Sequence, residues 1–548
     1  MTWIDKAASG FDGAIGFLSP KAGMKRQMYR DTIKRRQQFG AYRGAEQSPF
    51  SSWFNRGGSA DETIIPDLPT LRERSRALNR NDGHAAGVTS TMVTNVVGTG
   101  IRPQSRVDYK TLGITEKEAS SFQKLSERAW KRWVPIADAS GRMDFYEIQQ
   151  LVERQILENG EAIIVPTMVK DKTRRYSLAL QVVEPDRLCT PPDKRGDKSI
   201  RAGIKLGENG EPVAYYIKKT HPGDYHFGDR KESHKYVEIP ARNKAGRKNV
   251  IHLYYSQRGG QTRGLPFFTP VLSYFKDLSD YMDSELVAAK INSCYALIIK
   301  SELSGGGESR SKEDFNNTRK DGKITEMFEP GMIKHLRPGE SAESFNPQRP
   351  TATFDPFVER CLRTISTGLG LPYELVAKDF SKTNYSSARA ALLEARRYFK
   401  ARQEWLARKL CQPIWEMVQE EAYLRGDLSL QGEGESFFMA DPESWAKASW
   451  IAPGWEWVDP FKEAKAADVS LKNGVTTYAD ICASKGQDWE ESFEQRKREQ
   501  DKMAELGLAF NQGDSSATND DDDAEEDDDD NGDAKEGEDG DNGIIKEK

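Results

Sequence analysis

The feature that most constrains the fold of this sequence is a helical pattern about forty residues long, at 386–425. At 1.5 Å per residue it would span roughly 60 Å, and an average helix has only roughly 11–12 residues. We therefore expect it to organise the domain around it. Ser386 or Ser387 can cap its start and Gly426 can end it. Pro413 lacks a backbone donor, which predicts a kink there.

The remaining patterns predict an α+β chain that is mainly helical. Asp144 and Glu147 form a capping signature, Asn159-Gly160 ends the helix that follows, and AIIVPTM has the character of a strand. Other helices are expected at 67–80, 84–97 and 270–294, and in three segments between Pro460 and Gly507.

Short apolar runs between 178 and 256 predict a β region. Asn209-Gly210 lies between two of these runs and is a strong hairpin signal. The long polar stretches 190–200 and 220–248 are expected to be loops, and 301–355 is expected to be a turn-rich module with short strands.

The charge of the chain is divided unevenly. Residues 514–548 hold 17 acidic residues against three lysines, whereas residues 1–513 hold 77 basic residues against 69 acidic ones. A mildly basic body therefore ends in a very acidic tail, and the composition of residues 511–548 predicts disorder. Residues 1–60 form a basic arm that is either simply solvated or contacts DNA or a partner.

Cysteine usage and hydropathy limit the cellular compartment in which the protein is expected. The five cysteines are scattered and lack C-x-x-C spacing, which is typical of a reducing cytoplasm and not of a disulfide framework or a zinc site. No apolar run approaches the ~20 residues of a membrane span, so no membrane association is expected. The first twenty residues lack the features of a signal peptide.

Patterns for catalysis, cofactors and metals are absent or weak. The sequence has no P-loop, no G-x-S-x-G and no H-E-x-x-H. His221, His226 and His234 have no acid or cysteine at ligand spacing, and an EF-hand-like match at 527–538 lies in low-complexity sequence. We therefore expect no catalytic residue, no cofactor and no metal site.

Five stretches, in order, resemble the lambda-like family of tailed-bacteriophage portal proteins. They are DLPTLRERSRALNRND, RGGQTRGLPFFTPVL, GLGLPYELVAKDFSKTNYSSARAALLEARR, WIAPGWEWVDPFKEAKA and GVTTYADICASKGQDWEESFEQR. The resemblance covers about residues 60–510.

The resemblance implies a ring, usually of twelve subunits, with a wing, stem, clip and crown. The implied parts are a wing at 61–269 and 387–459, stem helices at 270–296 and 356–369, a clip at 297–355, a tunnel loop at 370–386 and a crown at 460–510.

The resemblance also implies a DNA conduit at a capsid vertex of the virion, assembled in the bacterial host cytoplasm. Expected partners are double-stranded DNA, the terminase large subunit, a head-tail connector protein and the major capsid or scaffold protein. Candidate tunnel residues are Lys378, Lys382, Asn384 and Arg389, since sequence-independent phosphate contacts suit DNA that must slide. The alternative for these residues is ordinary loop and helix-start polarity. Candidate contacts of the clip with its partners are Lys334, Arg337 and Arg349.

Two other classes of function remain open from the residues alone. A metal-dependent nucleic-acid enzyme would need an acidic cluster, for which Asp277, Asp280 and Asp283 are the candidates, although a solvated or inter-subunit helix face is the simpler interpretation. An acidic-tailed scaffold or chaperone would bind basic proteins through the tail. Deleting the tail distinguishes it from a conduit, whose ring should still assemble.

Overall fold

A computed structural model describes residues 57–224, 235–293, 297–301, 340–344, 354–428, 437–455 and 460–508. The chain divides into two units, Met1–Asp488 and Trp489–Lys548. The second unit contributes one described helix.

The described part of the chain is mainly helical, as predicted. In chain order its α-helices are α1 (Ala60–Ile64), α2 (Leu68–Asn81), α3 (Gly83–Val96), α4 (Tyr109–Leu112), α5 (Glu116–Trp133), α6 (Phe145–Asn159), α7 (Leu272–Ser293), α8 (Phe354–Leu369), α9 (Tyr373–Ala377), α10 (Tyr385–Leu406), α11 (Gln412–Leu424), α12 (Phe437–Ala440), α13 (Pro442–Trp445), α14 (Pro460–Lys472), α15 (Tyr478–Ser484) and α16 (Trp489–Leu506).

All strand pairings between named strands are antiparallel. The strands are β1 (Arg102–Ser105), β2 (Glu161–Met168), β3 (Leu178–Val183), β4 (Ile200–Arg201), β5 (Ile204–Leu206), β6 (Pro212–Lys218), β7 (Tyr236–Pro240), β8 (Ile251–Tyr254), β9 (Leu297–Ser301), β10 (Glu340–Ser344) and β11 (Ala448–Ile451). They form a three-stranded sheet in the order β3-β2-β8, a four-stranded sheet in the order β4-β5-β6-β7, and the pairs β1-β11 and β9-β10.

The local signals for helix ends and turns are confirmed. Asp144 accepts a hydrogen bond from the backbone N–H of Glu147, and the Glu147 carboxylate accepts one from the backbone N–H of Asp144, both at 2.8 Å. Gly160 then ends α6 at φ +87°. Gly210, in the turn between β5 and β6, has φ +80°, a conformation that glycine adopts without strain.

The expectation of a loop across 220–248 is wrong for its second half. Residues Tyr236–Pro240 form β7, which pairs with β6 at the edge of the four-stranded sheet. The strand is only five residues long, its side chains are at least partly solvent-exposed, and the sequence on either side of it is polar, so it does not stand out as the other strands do.

The long helix is present, its cap differs from the predicted one, and its irregularity next to Pro413 is a π-helical turn. Its cap is Asn384, whose Oδ1 accepts a hydrogen bond from the backbone N–H of Ser387 at 2.8 Å, so neither Ser386 nor Ser387 is the cap. A π-helical turn, Ala407–Cys411, joins α10 to α11 directly before Pro413. Such a wider turn accommodates a proline ring that would otherwise clash with the carbonyl one turn earlier. Gly426 follows the helix at φ +78°.

An aromatic cluster fills the core against α11. Trp130 lies with its ring centroid 5.0 Å from those of Trp133 and Phe145, and 5.4 Å from that of Trp415. All four side chains are almost fully buried. The indole N–H of Trp450 donates to Gln412 Oε1 at 3.0 Å, so the tryptophan-rich region after α11 packs back onto this core.

A buried carboxylate, Glu161 at the start of β2, joins separate parts of the first unit. It accepts hydrogen bonds from Arg72 Nη2 of α2 at 2.6 Å and from Arg263 Nε at 2.8 Å, and lies 3.0 Å from His252 Nε2 of β8. The backbone N–H of Gly264 also donates to it at 3.0 Å. Burial alone would raise the pKa of Glu161, but the two arginines outweigh burial and hold the pKa well below its usual range.

Arg263 extends this network into the four-stranded sheet. Its guanidinium also donates to the carbonyl oxygens of Pro185, Leu188 and Ala202, at 3.0, 3.0 and 2.7 Å. The neighbouring backbone is packed equally closely, because a Cβ on Gly264 would lie 2.0 Å from the carbonyl oxygen of Gly160. The TRG sequence before α7 is therefore fixed by both charge and steric fit.

Replacing Glu161 with glutamine should destabilise the protein by about 3–5 kcal/mol, because Arg72 and Arg263 would keep a buried charge without its counterion. Chemical denaturation of the full chain measures the change. Glu208→Gln is the matched control, since Glu208 is exposed, and its effect should stay within about 0.5 kcal/mol. Equal stability of the two variants would contradict the account of Glu161.

The Glu161 contribution should also depend on pH. Its pKa is depressed in the folded protein, so its stabilisation is fully present above the unfolded-state pKa of about 4.3–4.5 and is lost as pH falls through the folded-state pKa. The difference in unfolding free energy between the wild type and Glu161→Gln should therefore be constant from pH ~7 to ~5 and shrink in stronger acid. A difference that grows in acid would contradict this sign.

Candidate nucleic-acid interface

The candidate interface is the connection between α8 and α10. Gly370, at φ +67°, turns the chain out of α8, and the short helix α9 follows. Lys378 ends α9 in the left-handed region at φ +54°, which is uncommon for a residue with a side chain. Residues 378–384 then lead to the Asn384 cap, and we call them the connecting loop.

The connecting loop is shaped by its own hydrogen bonds. Asp379 Oδ1 accepts from the backbone N–H of Ser381 at 3.0 Å and from its hydroxyl at 2.6 Å. These hydrogen bonds lower the pKa of Asp379. The backbone N–H of Thr383 donates to the Phe380 carbonyl at 3.2 Å, which closes a turn. The loop is thus held in a defined shape while most of its side chains face solvent.

Lys382 is countered by an acid within the chain. Its Nζ lies 2.8 Å from Glu359 Oε2 of α8, and Arg363 Nη2 lies 2.6 Å from the other oxygen of that carboxylate. The hydrogen bond from Lys382 lowers the pKa of Glu359. All three side chains remain at least partly in solvent, so this pair is a weak and salt-sensitive contact.

Lys378 has no ion pair with any described residue. Its aliphatic chain lies over Gly87 of α3, where a Cβ would be 3.6 Å from Lys378 Cε. Among the four predicted tunnel residues it is the one whose charge is exposed and not in an ion pair with a described residue. Arg389 Nη2 lies 3.9 Å from Glu463 Oε1 of α14, and Asn384 uses its side-chain oxygen as the helix cap.

Two exposed aromatic residues on this connection were not among the predicted ones. Phe380 and Tyr385 are 45% and 57% exposed. The signal available in the sequence was an aromatic residue at each end of the polar stretch SKTN. The three predicted clip contacts, Lys334, Arg337 and Arg349, lie outside the described residues.

The aspartates considered for a metal-dependent enzyme do not form a cluster in the described part of the chain. Asp277, Asp280 and Asp283 are exposed on α7, and Asp280 pairs with Lys276. A group of three possible ligands that sequence spacing did not suggest lies elsewhere, at Glu184, Asp186 and His221. His226, His234 and the EF-hand-like match lie outside the described residues.

The carboxylates of the Glu184–Asp186–His221 group are already paired with the side chain of Arg76. Arg76 Nη2 bonds Asp186 and lies 3.7 Å from Glu184 Oε1. The backbone N–H of Gly223 donates to His221 Nδ1 at 3.0 Å, which leaves the ring proton on Nε2, 3.5 Å from Glu184 Oε2. His221 therefore faces the carboxylates with a donor and not with the lone pair that a metal would need. Its contacts suit a structural cluster.

None of the helices within the described ranges has the length and apolar character needed to cross a bilayer.

The fold and the connecting loop define a helical α+β protein that presents a short, hydrogen-bonded polar loop between two helices. Residues 46–403 match the family described as phage portal protein, lambda family, and the chain belongs to that family. Proteins of this family are structural.

Curated relatives include three portal proteins. The chain is 28% identical over 480 residues to the portal protein of Escherichia phage N15 and 27% identical over 480 residues to portal protein B of Escherichia phage lambda, with 83% of this chain and 88% of each relative covered. It is 26% identical over 474 residues to a probable portal protein of Halomonas phage phiHAP-1, covering 84% of this chain and 85% of the relative.

Solved structures that resemble the chain include the neck of a native gene transfer agent particle. The TM-score is 0.40 at 12% identity, with 81% of this chain and 94% of that chain covered.

Replacing Asn384 with alanine should cost about 1 kcal/mol of stability, because α10 loses its cap, whereas Asn384→Asp should keep the cap. Denaturation of both variants measures this effect. If Asn384 also contacts DNA, the aspartate variant should lose DNA affinity at unchanged stability. An alanine variant as stable as the wild type would contradict the cap assignment.

Proposed function

We propose that this chain forms a ring at one capsid vertex, through which double-stranded DNA is packaged and later ejected. Membership of the lambda family of phage portal proteins is the observation that carries the proposal. The ring would contain about twelve copies, consistent with the closed symmetry of most homo-oligomers. It would act in the virion after assembly in the host cytoplasm.

An uncovered apolar face on α7 supports assembly with further copies of the chain. Tyr274, Met282, Leu286 and Val287 are 41–55% exposed, although the helix buries Phe275 and Leu278 against the rest of the first unit. Tyr281 packs on Phe357 of α8 with ring centroids 4.9 Å apart, so the two proposed stem helices contact each other. Met282 and Leu286 lie one turn apart on the same side of the helix, and exposed apolar side chains placed in this way are typical of an interface.

The connecting loop is the proposed DNA-facing segment. In a closed ring, Lys378 would be repeated once per subunit and would supply sequence-independent phosphate contacts. Lys382 would contribute less, since Glu359 offsets its charge. Moderate repeated charge suits a conduit, because DNA must move past each subunit without being gripped.

The other parts of the portal architecture are assigned by the same proposal. The stem would contain α7 and α8, the clip would contain the β9-β10 pair, the crown would span 460–510, and the wing would hold the two sheets and α10-α11. The clip would dock the terminase large subunit and later a head-tail connector protein. The major capsid or scaffold protein would contact the ring during assembly.

Native mass measurement by mass photometry tests the ring. A species near twelve subunits, roughly 740 kDa, is expected from the chain mass of 61.8 kDa. Leu286→Asp with Val287→Asp should shift the mass toward smaller species, because charge would be buried at the proposed interface. Val213→Asp, at a residue that is 45% exposed on β6, is the matched control and should leave the mass unchanged. A wild-type protein that stays monomeric at every concentration and salt would contradict the proposal.

A further inference from the structure

A basic hairpin projects between β7 and β8, in the region where the sequence pattern predicted only a loop. Arg242 and Lys248 form an antiparallel bridge, and the backbone N–H of Asn243 donates to the Arg247 carbonyl at 2.8 Å. Asn243 Oδ1 accepts hydrogen bonds from the backbone N–H groups of Ala245 and Arg247, both at 2.9 Å. Gly246 supplies the left-handed residue at φ +82°. The turn is thus formed by its backbone and by Asn243.

The hairpin is anchored through one of its cations. Arg247 forms an ion pair with Glu420 of α11, which holds the hairpin against that helix. The other cations, Arg242, Lys244 and Lys248, have no ion pair with any described residue. Arg242 Nη1 donates a hydrogen bond to the Gly246 carbonyl at 2.6 Å.

Lys409, in the π-helical turn, is a further cation near the hairpin. Burial lowers the pKa of Lys248, and repulsion from Arg242 and Lys409 lowers it further, with only partial compensation from Glu416. Lys248 is therefore repelled by two neighbouring cations. Such an arrangement is unfavourable in the free protein and is relieved when an anion binds.

We infer that this surface, defined by Arg242, Lys244, Lys248 and Lys409 and called the basic hairpin surface, binds the phosphate backbone of duplex DNA without reading its sequence. Lysine and arginine on an exposed turn are the usual phosphate contacts. The residues of the turn, 242–248, include no aromatic or large aliphatic side chain of the kind that anchors a protein partner.

This inference rests on the proposed function, since DNA is the polyanion that the ring would handle, but it places a second contact outside the connecting loop. Repetition around the ring would give a band of phosphate contacts separate from the loop residues. Glu420, the partner of Arg247, lies 36 residues beyond Asn384 along the long helix, which is roughly 50 Å at 1.5 Å per residue. With the connecting loop at the channel, DNA held at the hairpin would therefore be outside the path of translocation. Because phosphate contacts exchange quickly and weaken with salt, the band would restrain DNA reversibly.

Covalently closed circular duplex DNA provides the sharpest probe, because a closed circle cannot thread through a ring. Two circles of unrelated sequence should bind the assembled wild-type protein with similar affinity. The triple variant Arg242→Gln, Lys244→Gln and Lys248→Gln should bind both circles about tenfold or more weakly. The steepness with which log affinity falls with log salt concentration should decrease by about 2–3, because each lost phosphate contact accounts for about 0.9.

The matched control removes the same charge from exposed lysines elsewhere, through Lys170→Gln, Lys172→Gln and Lys198→Gln, and should bind nearly as the wild type. Met168→Ser with Leu424→Ser tests the apolar side chains that line one cavity with Arg247; they are 63% and 68% exposed, and the change should leave DNA affinity unchanged.

Native mass is measured for every variant, so that failure of ring formation, which would count against the proposed function, is separated from failure of DNA binding. Full rings of the hairpin variant that bind circles as the wild type does would overturn the inference. An equal loss in the lysine control or in the Met168/Leu424 variant would also overturn it. Poly-glutamate is a second probe for the same variants. A hairpin variant that loses poly-glutamate binding but keeps DNA binding would assign the surface to an acidic protein and overturn the inference as well.

Discussion

The buried carboxylate of Glu161 is the interaction on which the arrangement of the first unit depends. It neutralises Arg72 and Arg263, which come from distant parts of the chain, and accepts the Gly264 N–H just before α7. Arg263 also donates hydrogen bonds to three backbone carbonyl groups next to the four-stranded sheet. Because burying charge is costly unless every group is paired, the network fixes one relative placement of α2, both sheets and the start of α7. The orientation of α7, and of α8 packed on it, follows from this point.

A second buried pair performs a similar task for the long helix. Arg402 of α10 lies 2.7 Å from Glu153 of α6, and its guanidinium stacks 4.6 Å from the ring centroid of Tyr255. The helix that begins at the connecting loop is therefore fixed to the core at Arg402, about one turn before the end of α10. Most contacts of the loop itself are solvent-exposed, such as that of Lys382 with Glu359. A rigid support with a salt-sensitive surface suits the proposed role of this segment, which is to meet DNA repeatedly without holding it.

The sequence predicted what depends on neighbouring residues and missed what depends on folding. The Asp144–Glu147 capping box, the Gly160 helix end and the long helix were predictable, because their partners lie within a few positions. Asn384 was missed as the cap because Ser386 and Ser387 have the same preference and lie two to three residues away. The Glu161 network and the Glu184–Asp186–His221 group join residues dozens of positions apart, which spacing alone does not reveal. The basic hairpin was missed because the short edge strand β7 lies within a long polar stretch.

The most direct test of the account is a three-dimensional single-particle reconstruction of the purified assembly. The account predicts a closed ring of about twelve subunits, with Lys378 and the connecting loop lining the central channel, α7 in contact with a neighbouring subunit, and the basic hairpin surface away from the channel. A ring whose connecting loops face outward, or a protein that forms no closed ring, would contradict it.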